Sequence, residues 1–69
     1  MKFKELYDKF DKGYILLAFV GDIFVGDSFW GGLEKYSNYT VKSFAPFYTK
    51  EGPYKYGVSV YLKDKKENN

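Results

Sequence analysis

The chain contains no cysteine, no histidine and no arginine, so all eleven of its basic residues are lysines. Without Cys there is no disulfide, thiolate cluster or zinc finger. Without His or Cys the chain lacks the commonest general base at neutral pH and any thiol nucleophile. These absences predict a protein that is not an enzyme and that needs no cofactor or metal.

The missing arginine also restricts the nucleic acids that the chain could recognise. Arg is the side chain that contacts guanine in a bidentate manner and clamps phosphate with a planar fork. The net charge is only +2, from 11 basic and 9 acidic residues. This balance disfavours a reader of duplex DNA, and it is not acidic enough for a DNA mimic.

Long hydrophobic runs are absent as well. The longest apolar run, Tyr14–Val20, is far shorter than the ~18 residues of a membrane span. The polar residues that follow Met1 do not form the apolar stretch of a signal peptide. We therefore expect a cytoplasmic protein with no membrane contact.

Aromatic residues, by contrast, are abundant, at 23% of the 69 residues. Such a short chain forms one domain, whose core contributes only ~3–5 kcal/mol of net stability. Each aromatic side chain can bury ~150–250 Å², which offsets the short length. We predict a single domain over residues 1–63 and a solvated tail over 64–69.

The first segment has helical periodicity. Apolar residues recur with the spacing of one helix face, at Phe3, Leu6, Tyr7 and Phe10. Gly13 follows and suits a left-handed C-terminal cap. The pattern predicts a helix over residues 2–12.

A β-hairpin is predicted next. The run Tyr14–Val20 indicates a strand that is buried on both faces. Gly21-Asp22 suits a type II′ turn into a return strand that begins at Ile23. The resulting register pairs Val20 with Ile23, Phe19 with Phe24, and Ala18 with Val25.

The same region carries a short repeat of the form x-Phe-apolar-Gly-x. It occurs at Ala18–Asp22, Ile23–Asp27 and Ser28–Gly32. We interpret it as Gly-centred bends that flank a short strand. A cation held by Asp22 and Asp27 is the alternative, which no other clustered oxygen ligand supports.

The second half of the chain predicts another hairpin after a loop at residues 30–38, which contains one helical turn at Leu33–Tyr36. Residues 39–48 and 54–63 alternate with a period of two around a turn signal at 50–53. Pro46 cannot donate a hydrogen bond to a neighbouring strand, so we place its strand at a sheet edge.

These elements predict an α+β fold with the helix packed on a four-stranded antiparallel sheet. The preferred strand order is 2-1-4-3, which keeps every pair antiparallel and puts the apolar first strand in the centre. The alternative is a meander in the order 1-2-3-4, which would place Pro46 inside the sheet.

The candidate site is a set of aromatic and lysine side chains on the second hairpin. On the predicted register, three rings project opposite the core with lysines beside them: Phe44, Tyr48 and Tyr61, with Lys42, Lys55 and Lys63. Trp30 is a further interface anchor. Either these rings cover the 30–38 loop and the glycines at 52 and 57, or they form an exposed binding patch.

We predict a non-catalytic binding module that contacts a larger protein, of the kind that phages and mobile elements use to inhibit host proteins. The alternative is sequence-tolerant binding of single-stranded nucleic acid, in which rings stack on bases and lysines follow the phosphates. Pairing of two copies into a homodimer is a third option that the sequence leaves open.

Overall fold

The fold is one helix on a four-stranded sheet, in a computed structural model that describes residues 1–11, 13–29, 31–48, 50 and 56–64. Its elements in chain order are α1 (Phe3–Lys9), β1 (Ile15–Val20), β2 (Ile23–Asp27), a 3-10 turn (Glu34–Tyr36), β3 (Val41–Tyr48) and β4 (Tyr56–Leu62). The sheet order is β2-β1-β4-β3. The predicted α+β class, the N-terminal helix and the strand order 2-1-4-3 are confirmed, and the strand that contains Pro46 lies at an edge.

The sheet is mixed, however, so the prediction that every strand pair is antiparallel is wrong. β1 pairs with β4 in parallel, from Ile15 opposite Gly57 to Val20 opposite Leu62. The other two pairs, β1 with β2 and β3 with β4, are antiparallel. Parallel neighbours need a connection of about a dozen residues or more. The segment between β2 and β3 has that length. It turns the second hairpin so that β4 runs parallel to β1, and the alternation of residues along the strands gives no sign of this.

Helix α1 ends at Lys9, three residues before the predicted end. The Asp11 carboxylate accepts a hydrogen bond from the Gly13 N–H at 2.8 Å, which stabilises a turn in place of another helical turn. Phe10 is already extended, with ψ of 135°. Gly13 is not among the glycines with positive φ, so the predicted left-handed cap is also wrong.

The start of α1 is fixed to the segment that precedes β3. The Phe3 N–H donates to the Tyr39 carbonyl at 2.8 Å, and the Lys4 N–H donates to the Ser37 carbonyl at 3.0 Å. Both donors belong to the first turn of the helix, whose N–H groups have no partner within the helix. The loop thus satisfies these groups and positions α1 over the sheet.

The first hairpin confirms two of the three predicted pairs, Val20 with Ile23 and Phe19 with Phe24. Gly21 has φ of 61°, and Asp22, like the other described non-glycine residues, does not have positive φ, which is the φ pattern of a type II′ turn. Ala18 pairs with Gly26 and not with Val25, because a β-bulge shifts the register between Ala18 and Phe19. A bulge adds one residue to one strand, and local alternation does not reveal it.

The core lies on one side of the sheet. Its buried members come from α1, from the loop before the 3-10 turn and from the two central strands: Phe3, Leu33, Leu16, Ala18, Val60 and Leu62. Partly buried residues of α1, among them Leu6 and Phe10, pack against this cluster. The helix-on-sheet packing is therefore confirmed, but β1 is fully buried on only one of its two faces.

Candidate binding surfaces

The side of the sheet opposite α1 forms the first candidate surface, which we call the open face. Paired residues on neighbouring strands point to the same side, and alternate residues along a strand share a side. The strand pairings therefore assign these residues to the open face: Ile15, Leu17, Phe19, Phe24, Asp27, Ser43, Ala45, Phe47, Gly57, Ser59 and Tyr61. Each of them is partly buried or exposed, and none is fully buried.

Three aromatic rings cross one end of the open face. Phe24 and Phe19 meet edge to face with ring centroids 5.6 Å apart. Phe19 stacks on Tyr61 at 5.1 Å with an interplanar angle of 21°. Because the three residues belong to β2, β1 and β4, these contacts stabilise the sheet laterally without a covering layer.

The other end of the open face is closely packed around Gly57. A Cβ atom at this position would lie 2.5 Å from Phe47 Cζ and 2.6 Å from Ile15 Cγ2. Phe47 and Ile15 thus occupy the space above the glycine. The predicted covering of Gly57 does occur, but by these two residues and not by the predicted rings.

The open face carries very little charge. Of the described residues assigned to it, only Asp27 is charged, and its Oδ1 accepts the Phe29 N–H at 2.9 Å. At one end of the face, a groove of about 370 Å³ is lined by Asp22, Lys42 and Tyr61, among others. The border of the face therefore carries both signs of charge, while its middle is neutral.

A second surface, the aromatic strip, lies on the helix side of the sheet, along β3 and beside the starts of β1 and β4. We define it as Tyr14, Phe44, Pro46, Tyr48 and Tyr56. Register places the three β3 residues opposite Val60, Val58 and Tyr56 on this side. All five are exposed, although Val60 beside them is fully buried. The strip is thus a continuation of the core side beyond the reach of the helix.

Ring contacts join the three tyrosines of the strip through Tyr56. The Tyr56 ring lies 5.2 Å from the Tyr48 ring and 6.3 Å from the Tyr14 ring, measured between centroids. Exposed fractions are 45% for Tyr14, 55% for Tyr56, 56% for Tyr48 and 58% for Phe44. The three tyrosines are thus held in place by one another, and all four rings still present about half of their surface.

The predicted site does not form a single patch. Phe44 and Tyr48 lie on the helix side, whereas Tyr61 lies on the open face. The cause is a bulge between Val41 and Ser43, which shifts the alternation of β3 relative to β4. Phe44 and Tyr48 are both more than half exposed, and Gly52, which they were predicted to cover, lies outside the described residues.

Of the predicted lysines, the structure describes Lys42 and Lys63. Lys42 lies at the bulge and shares the groove with Tyr61, and Lys63 follows the end of β4. The predicted site residues Lys55 and Trp30 lie outside the described residues, as do the turn at 51–53 and residues 65–69 of the predicted tail.

Sequence reasoning missed Tyr14 and Tyr56 as surface residues. The apolar run predicts that Tyr14 belongs to a buried strand, and Tyr56 alternates in phase with the apolar residues Val58, Val60 and Leu62. Tyr14 immediately precedes β1 and Tyr56 begins β4, and these two strand ends are adjacent only because the strands are parallel. No local pattern could have indicated that contact.

No metal site is evident at the repeated Asp residues. Within the described part of the chain, no three His, Cys, Asp or Glu side chains are grouped as metal ligands. Gly21 and Gly31, with φ of 61° and 82°, turn the chain before and after β2. Gly21 and Gly31 therefore act in chain reversal, whereas Gly26 lies within β2 opposite Ala18.

No protein-family model, curated protein or solved structure matches this chain. Among the described residues, no helix is long and apolar enough to cross a membrane. The two surfaces are therefore the features of the molecule that bear on its function.

Proposed function

We propose that this chain is a protein-docking module whose partner binds the aromatic strip. The observation that carries the proposal is the cluster Tyr14, Tyr48 and Tyr56, joined by ring contacts and about half exposed. Folding leaves these large apolar rings in water, and an exposed cluster of this kind is characteristic of interaction sites.

The size of the strip suits the centre of an interface. At ~150–250 Å² for a whole aromatic residue, its four half-exposed rings present about 400 Å². A standard interface buries ~800 Å² on each partner, with a central cluster surrounded by a polar rim. The strip therefore supplies about half of such a surface.

The residue types favour a protein partner. Tyr is enriched among residues that dominate binding energy, because it combines a large ring with few rotatable bonds and a polar tip. Tyr48 and Tyr56 are paired across neighbouring strands, so little further order is lost on binding. None of the five strip residues is charged.

The same arrangement weighs against single-stranded nucleic acid. Stacking modules combine rings with basic side chains along the same groove. Here Lys42 lines a groove with Tyr61, while Phe44 and Tyr48 are on the opposite side of the sheet. The proposal is confined to docking, and inhibition of a host protein remains a prediction from the sequence.

The test is a capture experiment in which a cell lysate is passed over the immobilised protein. It compares the proteins that bind the wild type with those that bind the double variant Tyr48→Ala, Tyr56→Ala. Both side chains are exposed, so the double variant should remain folded, which circular dichroism checks. We expect at least one partner whose binding falls at least tenfold in this variant. The matched control is Ala45→Lys, an exposed change on the open face that should retain the partner.

The alternative, binding of single-stranded nucleic acid, is tested by fluorescence anisotropy. Labelled oligo-dT and oligo-rU are titrated with the protein at low and at physiological salt. The proposal predicts no binding at physiological salt. Oligonucleotide binding there that is lost in Lys42→Gln would overturn it. So would the retention of every captured protein by the double variant.

A further inference from the structure

We infer that the open face is a self-association surface, on which a second copy of this chain packs face to face. This inference does not depend on the proposed docking function, because the aromatic strip lies on the other side of the sheet. It rests on the apolar composition, neutrality and size of the open face, and on the interruptions at the sheet edges.

The open face has the composition of a homodimer interface. Ile15, Leu17 and Phe19 of the central strand β1 all point to it and are only partly buried. Homodimer interfaces are more apolar than other interfaces and depleted of charge at their centre. The tyrosine-rich strip, in contrast, resembles the surfaces used for separate partners.

The near absence of charge on the open face allows a second copy of the chain to pack against it. A two-fold axis places the same patch on both partners, so a charged face would repel itself. The only described charge on the open face is Asp27, whose Oδ1 already accepts a backbone N–H. Asp22 and Lys42 at the border have opposite signs and can complement each other across the axis.

The available area predicts a weak dimer. Six residues of β1 and four strands give a face of about 20 by 19 Å, from ~3.3 Å per residue and ~4.8 Å per strand. Two such faces stack ~10 Å apart in sheet packing and bury on the order of 1,000 Å² in total. This value is at the lower limit for specific interfaces, so we expect a weak dimer that forms only at high protein concentration.

Association through the sheet edges is disfavoured by local features. The outer strand β3 has a bulge between Val41 and Ser43 and carries Pro46, which cannot donate a backbone hydrogen bond. The pairing of β1 with the other outer strand, β2, is interrupted by a bulge beside Ala18. Bulges and prolines at edges are features that prevent edge-to-edge pairing.

A second copy would also compensate for the one-sided core. A chain of this length with one apolar layer and no disulfide has little net stability. A ligand or partner that binds only the folded state stabilises it in proportion to concentration. We therefore expect the thermal midpoint of the whole chain to rise with protein concentration.

The test is sedimentation velocity of the full chain from ~5 μM to ~1 mM, with two neighbouring substitutions on β3. Ala45→Lys places a charge on the open face, and Phe44→Lys places one on the opposite side. Both residues are exposed, so either variant should fold. We expect the wild type and Phe44→Lys to dimerise, and Ala45→Lys to weaken dimerisation at least tenfold.

Phe24→Lys, on the open face of the other edge strand, is the second variant and should also be monomeric. A wild type that stays monomeric at ~1 mM would overturn the inference. Association that survives both Ala45→Lys and Phe24→Lys would equally overturn it, because another surface would then be responsible. Failure of this test leaves the docking proposal intact, since that proposal depends on Tyr48 and Tyr56.

Discussion

The two faces of β1 have similar apolar sequences but very different burial. On the helix side, Leu16 and Ala18 are fully buried. On the open face, the alternate residues Leu17 and Phe19 remain partly exposed. Burial in this sheet is therefore determined by what covers each face. The apolar sequence of β1 alone does not indicate which of its faces is covered.

The largest expected effect compares two neighbouring leucines of β1. Leu16→Ala removes a fully buried side chain and should lower the free energy of unfolding by ~3–5 kcal/mol, which unfolds much of the protein. Leu17→Ala, on the open face, should cost only about 1 kcal/mol in the dilute monomer. Urea denaturation followed by circular dichroism measures both. Equal losses would show that both faces are covered.

An intermediate effect is expected at Gly57, where the open face is closely packed. Gly57→Ala would place Cβ 2.6 Å from the Ile15 carbonyl oxygen, so the backbone must shift. We expect a loss of about 1–3 kcal/mol. Ser59→Ala, two residues along the same strand and face, is the control and should change stability by less than ~0.5 kcal/mol. A stabilising Gly57→Ala would contradict the packing of Ile15 and Phe47 above this position.

The smallest effect separates the two sets of rings. Tyr61→Leu removes the stacked contact with Phe19 on the open face and should cost about 1 kcal/mol. Tyr48→Leu, on the exposed strip, should cost less than ~0.5 kcal/mol. Thermal unfolding at low protein concentration distinguishes them. A larger loss at Tyr48 would indicate that the strip serves stability and would count against its role in docking.

The candidate site was predictable in its chemistry but not in its position. Excess aromatic residues indicated exposed rings, and Phe44 and Tyr48 are indeed more than half exposed. Tyr56 pairs with Tyr48 across the second hairpin, whereas Tyr14 is distant in sequence and meets Tyr56 only through the parallel pairing of β1 with β4. The bulge between Val41 and Ser43 places Phe44 and Tyr48 on the helix side, while Tyr61 lies on the open face as predicted.

The sequence by itself determined the local features of this protein. Periodicity specified α1, Gly21 and Asp22 specified the first turn and its two nearest pairs, and Pro46 specified an edge strand. Each depends on backbone preferences within a few residues.

Only the tertiary structure decided the direction of the second hairpin, the two bulges and the face to which each aromatic ring belongs. In a sheet, one inserted residue moves every later side chain to the opposite face. Whether a bulge forms, and whether a distant strand pairs in parallel, depends on packing across the whole sheet. The division between a covered face, an open face and an aromatic strip is therefore a property of the assembled fold.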